Sequence, residues 1–336
     1  IGSVPPRERQ PEGPFGDHYG YYSEKHPFPF MRCAALCHRK DAIFPATVVG
    51  KPRQEDFFLG DYLQGLLSPL FPVVMPGVLD LWSYGETGYH SLTAARVAER
   101  YKREAMKSAF RILGEGQLSL TKFLMIVDSE VDLHDFRSLL THVLARADFR
   151  TDLFIFANLS MDTLDYAGPK LNEGSKGVLL GVGDPLRELP HEFSGPAPAG
   201  ASDVRVFSPG CLVVQGPSHD DDAAFPARLA RDPAVEKWPL VVLSDDAERA
   251  TRSTINFLWS TFTRFDPASD IVASDTELMS GHVSHTAPVV IDARMKGYPE
   301  ELFCDEETAS EVDGRWSEYF PAGGVEMGDS GQGHLD

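Results

Sequence analysis

The run Lys122-Phe-Leu-Met-Ile-Val127 is apolar throughout after its first residue, and the acidic stretch Asp128-Ser-Glu-Val-Asp132 follows it directly. Uninterrupted apolarity over this length predicts a β-strand that is buried on both faces, as in a parallel sheet. A helix is predicted from Asp135 to Arg146, and a second strand at Asp152-Leu-Phe-Ile-Phe156. The order strand, helix, strand indicates a βαβ unit and an α/β fold class.

The pattern of the first part of the chain predicts β-structure. Residues 15–60 are strand-like, most clearly at Phe28–Cys37 and Ala42–Val49. Gly50-Lys-Pro52 supplies a turn after the second of these strands. A β-rich segment is therefore expected ahead of the α/β region.

Helical periodicity dominates the residues between this segment and the βαβ unit. Residues 56–75 have apolar positions at helical spacing, and the strand candidate Val78–Trp82 follows them. The clearest helical pattern spans Ser91–Leu113, where an apolar stripe lies opposite Arg and Glu residues. A long helix is predicted there, ended by Gly114 and Gly116.

A similar pattern returns in the last third of the chain. Its elements correspond in order to those of the first unit: Lys237–Asp246 to Lys122–Glu130, Ile255–Arg264 to Leu139–Arg146, and Asp266–Ile271 to Asp148–Leu153. Self-similarity of this kind indicates an internal duplication and hence a second α/β repeat. Coincidence between two ordinary βαβ units stays open as the alternative.

These patterns divide the chain into five segments. The fold is predicted as α/β, or α+β when the amino-terminal segment is counted. The segments are a β domain at 1–60, linking helices and an α/β domain at 61–195, a linker at 196–236, the second α/β unit at 237–320 and a loose tail at 321–336.

The composition is that of a globular protein with an acidic bias. The 336 residues carry a formal net charge of -19, which argues against a nucleic-acid partner because phosphate binding needs a basic face. No apolar run approaches the roughly 18 residues of a membrane span, and no leader-like segment opens the chain. Stable membrane insertion is therefore not expected. The four irregularly spaced cysteines suit a reducing compartment, so a cytoplasmic location is predicted.

The Cys and His residues give little indication of a metal site. Cys33-x-x-x-Cys37-His38 lacks a second Cys/His pair at suitable spacing, so two buried thiols on a strand are expected rather than zinc. His282-x-x-His285 has ligand spacing only on a helix turn, and its context is that of a loop. No metal ligand is predicted within the chain.

The stretch Pro11-Glu-Gly-Pro-Phe-Gly-Asp-His-Tyr-Gly-Tyr-Tyr22 carries two carboxylates, Glu12 and Asp17, separated by residues that forbid a regular helix. In such a turn both side chains can converge on one pocket, and paired carboxylates in different environments can serve as acid and base. The neighbouring glycines allow a ligand to approach the backbone closely. On these grounds alone, a solvated surface loop with two acids is the more ordinary interpretation.

The same stretch resembles the signature of UbiD-family decarboxylases, and three further blocks resemble that family in the same order. They are Arg39–Ile43 with Thr47–Asp56, the Ala105-Met-Lys107 helix leading into Lys122–Asp128, and Leu171-Asn-Glu-Gly-Ser-Lys-Gly177. The resemblance covers about residues 10–185. It implies that residues 1–60 are the remnant of a split-β-barrel flavin-binding domain and that the α/β domain builds a homo-oligomer.

The family chemistry implies roles for four residues. In that family, prenylated FMN forms a covalent adduct with an aromatic or conjugated carboxylate and acts as an electron sink for the loss of CO2. By resemblance, Asp17 protonates the product carbon, while Glu12 pairs with an arginine and helps to keep the cofactor active. Lys176 resembles a cofactor-contacting lysine on a loop, and His18 either lines the pocket or caps the turn.

Other parts of the family's site lie upstream of its Glu-Gly-Pro-Phe-Gly block. They are the arginine, the ligands for a divalent metal (Mn2+ or Mg2+) and K+, and most of the flavin phosphate pocket. The chain is therefore expected to be a C-terminal portion that is inactive alone. The second copy reads Ser284-His-Thr-Ala-Pro288 where the first has Lys176, so it is predicted to be structural.

The blocks also bear on substrate and on competing functions. Gly174–Leu180 followed by Gly183-Asp-Pro-Leu-Arg187 is similar to a longer subgroup, the menaquinone-pathway decarboxylases, which act on a dihydroxynaphthoate. A related carboxylase stays open, as does a non-catalytic assembly module, which would not need the acid pair. A nucleotide-binding domain is excluded, because no glycine-rich fingerprint follows Val127 or Leu243.

Overall fold

The computed structural model describes residues 1–44, 49, 55–297, 299–302 and 305–323. The described residues fall into two compact units. We call the unit made by residues up to Asp56 and from Pro299 onward the terminal unit. The unit that begins at Phe57 and ends at Gly297 is the central unit.

Short antiparallel ladders form the amino-terminal part of the terminal unit. They consist of β1 (Gly2–Ser3), β2 (Gln10–Glu12), β3 (His26–Phe28) and β4 (Arg32–Cys33), with β1 paired to β4 and β2 to β3. The prediction of one strand over Phe28–Cys37 is wrong, because Pro29 lacks the N–H that a continuing ladder needs. No closed barrel is formed by the residues that the structure describes here.

The second predicted strand of this region, Ala42–Val49, is not found where it can be assessed. Residues 42–44 and 49 have no strand structure, and the remainder of that stretch lies outside the described residues. The β-rich character of the segment thus rests on the four short strands.

The helix predicted at residues 56–75 is confirmed. It consists of α1 (Glu55–Leu67), a 3-10 turn (Ser68–Leu70) and α2 (Phe71–Val74). None of its residues is buried, and Val73 is 77% exposed. Contrary to the expectation from the sequence, the stretch Glu55–Val74 is long and apolar enough to cross a membrane, judged by length and composition alone.

The first sheet of the central unit has three parallel strands flanked by two antiparallel ones, in the order β5-β6-β7-β9-β8. Its elements are β5 (Val78–Ser83), β6 (Leu92–Val97), α3 (Glu104–Ile112), β7 (Phe123–Val127), α4 (Phe136–Arg146), α5 (Phe149–Asp152), β8 (Leu153–Ser160) and β9 (Glu173–Gly181). Every residue of β7 is buried, as the apolar run predicted. Asp135 caps α4 by accepting a hydrogen bond from the backbone N–H of Ser138.

Two predictions for this sheet are wrong. The long helix over Ser91–Leu113 is instead strand β6 followed by helix α3, because the small alanines of Leu92–Val97 fit a strand buried on both faces as well as a helical stripe. The βαβ unit also begins one strand earlier than predicted. It consists of β6, α3 and β7, whereas β8 lies at the edge of the sheet and runs antiparallel to β9.

The second sheet has the same strand order and the same strand directions, β10-β11-β12-β14-β13. Its elements are β10 (Asp203–Ser208), β11 (Cys211–Gln215), α6 (Phe225–Leu229), β12 (Leu240–Ser244), α7 (Ala247–Arg252), α8 (Thr254–Phe262), α9 (Pro267–Asp270), β13 (Ile271–Met279) and β14 (His282–Asp292). The second α/β repeat is therefore confirmed. The predicted linker 196–236 is wrong, because β10, β11 and α6 lie within it.

The two repeats pack against each other around one shared core. Phe207 and Phe257 stack with 3.6 Å between ring centroids, and Phe136 of the first repeat contacts both rings. The contacts are reciprocal, since α5 of the first repeat packs on β14 and α9 of the second packs on β9. The fold is thus an internal pair of similar α/β halves.

The chain re-enters the terminal unit after the second sheet. Residues 299–302 precede α10 (Glu306–Tyr319), which begins at Asp305, whose side chain accepts a hydrogen bond from the Thr308 backbone N–H. This helix buries none of its residues.

Candidate functional site

The predicted acid motif forms a closed turn in the terminal unit. We call residues Phe15–Ser23 the acid turn. Its ends are joined by a hydrogen bond from the Ser23 N–H to the Phe15 carbonyl (2.8 Å), and Gly16 forms an antiparallel bridge with Tyr22. Inside it, the Asp17 N–H donates to the Tyr21 carbonyl (3.1 Å) and the Gly20 N–H donates to the Asp17 carbonyl (2.8 Å). Gly20 has φ +86°, a conformation that favours glycine.

Asp17 is buried within this turn and is paired with His18. Its Oδ1 accepts a hydrogen bond from the His18 backbone N–H (2.6 Å) and lies 2.7 Å from His18 Nδ1. The His18 side chain is about one third exposed, at 32%. Within the same turn, Tyr19 and Tyr21 are buried, whereas Phe15 is exposed. The pair therefore links a buried carboxyl to an imidazole that solvent can reach.

Glu12 lies apart from this pair. It is exposed on β2, opposite His26 of β3, and among the described residues no hydrogen bond or ion pair joins it to Asp17. The acid turn therefore buries Asp17, whereas Glu12 lies outside the turn on an exposed ladder. A convergence of both acids on one pocket, as the sequence suggested, is not seen within the described residues.

Lys176 lies in the middle of strand β9, not on a loop as the resemblance implied. It pairs with Phe156 of β8 and is only 5% exposed. Its Nζ donates to the Thr121 carbonyl (2.8 Å). Burial lowers the pKa of Lys176 to about 8; nearby Asp165 opposes the shift and nearby Lys122 adds to it.

A cavity of about 360 Å³ opens beside Lys176. Its wall is mostly apolar and includes Phe110, Leu113 and Phe156. Among the described residues, Thr121 provides the one hydrogen-bond acceptor of the ammonium group, which has three N–H bonds. The group can therefore still donate to an anionic or carbonyl oxygen.

Two further buried charged groups lie near Lys176 that the sequence had not singled out. Lys122 is 1% exposed and lies 2.8 Å from Asp165 Oδ2. Lys122 directly precedes the apolar strand β7. A lysine next to a buried strand is the sequence feature that could have identified it as a buried charge. Its partner, Asp165, follows in a loop without periodicity and could not have been located.

The neighbouring Ser175 joins the two repeats. Its N–H and its hydroxyl both donate to Asp266 Oδ1, at 2.8 Å and 2.6 Å, and its Oγ accepts from the Ala268 N–H. A cavity of about 850 Å³ borders this junction, with Asp270 and Lys296 in its wall. The Gly-Ser-Lys motif thus has a structural residue next to its lysine.

The remaining candidate ligands form no metal site. Cys33 and Cys37 are exposed, so the expectation of two buried thiols is wrong; the edge strand β4 is too short to cover them. His285 is buried and His282 partly buried on β14. Within the described ranges, no group of three or more His, Cys, Asp or Glu residues could hold a metal ion.

Two family models match the chain. The 3-octaprenyl-4-hydroxybenzoate carboxy-lyase Rift-related domain matches residues 1–52, and the C-terminal domain of the same carboxy-lyase matches residues 57–181. The acid turn lies in the first match and Lys176 in the second. The second α/β repeat lies outside both.

Several relatives with high sequence identity are chlamydial. A Chlamydia trachomatis protein is 55% identical over 315 residues, which are 94% of this chain and 54% of that protein. A Chlamydia pneumoniae protein, whose name describes it as part of a 4-hydroxybenzoate decarboxylase, is 50% identical over 322 residues, 96% of this chain and 55% of the relative. The chain thus spans about half the length of these curated relatives.

Solved structures also match the chain. The closed form of the vanillic acid decarboxylase of Sedimentibacter hydroxybenzoicus is 24% identical and superposes with a TM-score of 0.50. The match covers 59% of this chain and 42% of the other.

Proposed function

Because the chain belongs to the UbiD family of carboxy-lyases, we propose that it is the C-terminal part of a non-oxidative decarboxylase of aromatic carboxylic acids. One observation carries this proposal: Asp17, the residue that resembles the family's proton donor, is a buried carboxyl held in a closed turn. Burying a carboxyl costs free energy unless it is paired, and here its partners are the backbone N–H and the imidazole of His18.

The proposed step is proton transfer to the carbon that loses CO2. Prenylated FMN supplies the electron sink for this reaction when it is bound. Asp17 gives its proton to the product carbon, and His18 Nδ1, 2.7 Å from Asp17 Oδ1, returns a proton to the carboxylate. The part of His18 that solvent reaches completes the route from water to the buried acid.

Lys176 and Glu12 have supporting roles in this proposal. A buried ammonium that has one acceptor among the described residues fits an oxygen of the flavin, and the apolar walls beside it fit the ring or prenyl portion. Glu12 is assigned, by resemblance, to an arginine that another part of the longer protein supplies. Mn2+ or Mg2+ and K+ would likewise take their ligands from outside this chain.

For the substrate we propose a hydroxylated aromatic acid. The name of the Chlamydia pneumoniae relative points to 4-hydroxybenzoate, and the blocks around Gly174–Arg187 favour a dihydroxynaphthoate of menaquinone biosynthesis. The α/β repeats are proposed to join copies of this cytoplasmic enzyme into a homo-oligomer.

The test is to express the chain within the longer reading frame of its relatives, in cells that make prenylated FMN. Flavin absorbance of the purified protein and CO2 release from both substrates are then measured. Flavin absorbance with CO2 release supports the decarboxylase, and the faster substrate is the assigned one. A folded protein that binds no flavin would instead favour the assembly module.

A further inference from the structure

The acid turn is held by a segment that lies almost at the other end of the sequence. We call residues Pro299–Leu302 the C-terminal strap. The Tyr22 N–H donates to the Glu300 carbonyl (2.9 Å), and the Leu302 N–H donates to the Gly20 carbonyl (2.9 Å). Tyr21 and Glu301 face each other in an antiparallel bridge between these two bonds. The strap is therefore an added strand along one edge of the turn.

A side-chain contact reinforces the backbone pairing. Leu302 is 7% exposed, and a Cβ placed on Gly16 would lie 3.1 Å from each of its two methyl carbons. That spacing is tighter than most carbon contacts, so Gly16 lets the strap approach to this distance. The residue next to Asp17 thus packs directly against the strap.

The strap acts on the backbone positions that hold Asp17. Its partners, Gly20 and Tyr22, flank Tyr21, whose carbonyl accepts the Asp17 N–H. Gly20 also donates its own N–H to the Asp17 carbonyl. If the strap detached, Gly20 and Tyr22 would each lose a backbone hydrogen bond to it. The two backbone hydrogen bonds of Asp17, to Tyr21 and Gly20, would then lose this support.

We propose that the C-terminal strap positions Asp17, with Leu302 as its main positioning residue. The strap follows β14 along the chain and belongs to the same terminal unit as the acid turn. This inference rests on the proposed function only for the role of Asp17. The hydrogen bonding between the strap and the acid turn does not depend on that role.

The first test needs no activity. Amide hydrogen exchange is measured on the chain and on Leu302→Pro, which removes the N–H that bonds Gly20, and Leu302→Ala, which removes the side-chain contact. We expect exchange at Asp17, Gly20 and Tyr22 to be roughly fivefold faster in the proline variant, since each hydrogen bond contributes about 1 kcal/mol. We expect a smaller increase in the alanine variant and unchanged exchange across β7 and β12.

Leu278→Ala is the matched control, because Leu278 is 75% exposed on the β13–β14 hairpin and belongs to the central unit. Its exchange in the acid turn should equal that of the unmodified chain. If both Leu302 variants leave exchange in the acid turn unchanged, the strap does not hold the turn and the proposal is overturned.

The second test uses the longer, flavin-loaded protein. Leu302→Pro should lower kcat at least tenfold while KM and flavin content stay the same, and Leu302→Met should restore most of the rate. Equal loss of flavin and rate would mean that Leu302 only supports folding. An unmodified protein that releases no CO2 would count against the decarboxylase, whereas the exchange result would stand.

Discussion

At the scale of single residues, the buried acid and the buried lysine differ in their partners. Asp17 has an imidazole within 2.7 Å that can exchange protons with it. Lys176 has a carbonyl partner and a protein environment that disfavours its charge. Each residue therefore gives a prediction with a distinct measurement.

Replacing the proposed proton donor should remove turnover without removing the cofactor. We expect Asp17→Asn in the longer protein to keep its flavin absorbance and to lose roughly 100- to 10,000-fold in kcat, because an amide cannot donate the proton. Glu24→Gln, a change at a half-exposed acid close by in sequence, is the control and should retain activity. A fully active Asp17→Asn enzyme would assign protonation to another group.

Lys176 should make the free energy of unfolding depend on pH. Its pKa is about 8 in the folded chain, below the 10.5 of an exposed lysine, so the folded state binds fewer protons between these values. Stability from this group therefore rises with pH from about 8 to 10.5, and its cost is fully present below pH 8.

Lys176→Met removes that titration. Relative to this variant, the unmodified chain should gain about 1–2 kcal/mol in free energy of unfolding between pH 7.5 and pH 10. Urea unfolding at several pH values measures the difference. Parallel pH profiles for the two proteins would show that Lys176 carries no buried charge.

At the scale of elements, the best-predicted parts are those with one dominant pattern. β7 follows from five apolar residues in a row, which admit few other structures, and the helix predicted from Asp135 to Arg146 is α4 with Asp135 as its N-cap. β6 was missed because alanine-rich segments satisfy the helical and the strand period alike. Its pairing with β5 and β7, which distinguishes a strand from a helix, is seen only in the fold.

The same limit explains what was missed at the site. Asp17 could be found from its motif, but the strap Pro299–Leu302 has no periodicity and becomes visible only through its pairing with the acid turn. The prediction of a linker at 196–236 is wrong because the segment begins with Pro- and Gly-rich residues, which are typical of linkers. The short strands β10 and β11 follow those residues.

The junction between β9 and α9 gives a prediction at this scale. Asp266→Ala leaves the buried N–H and hydroxyl of Ser175 without their acceptor, so it should cost about 2–4 kcal/mol in free energy of unfolding. Asp203→Ala breaks a surface ion pair with Arg205 and should cost less than about 1 kcal/mol. Urea denaturation compares them; equal costs would contradict a structural role for the junction.

At the scale of the whole molecule, the central unit should unfold as one body. The two sheets share a core through Phe136, Phe207 and Phe257, so neither sheet can lose its packing alone. We expect a single transition for both sheets by heat or denaturant, in spite of the two repeats.

Phe136→Ala tests this coupling. It should cost about 3–5 kcal/mol in free energy of unfolding and should speed hydrogen exchange in β7 and β12 together. Phe110→Ala, at a side chain that is 59% exposed, is the matched control and should have a much smaller effect. Faster exchange in β7 alone would show that the repeats are independent domains.

The reciprocal packing of the repeats also has a consequence for how the pair associates. The two halves are covalently joined, so each meets the other at a fixed effective concentration, and dilution cannot separate them. Pro288 occupies the position in β14 that Lys176 occupies in β9, since the residue after each pairs with the first residue of the central strand. Because the pairing is fixed, the two halves need not be alike, and at this position the first carries a lysine and the second a proline.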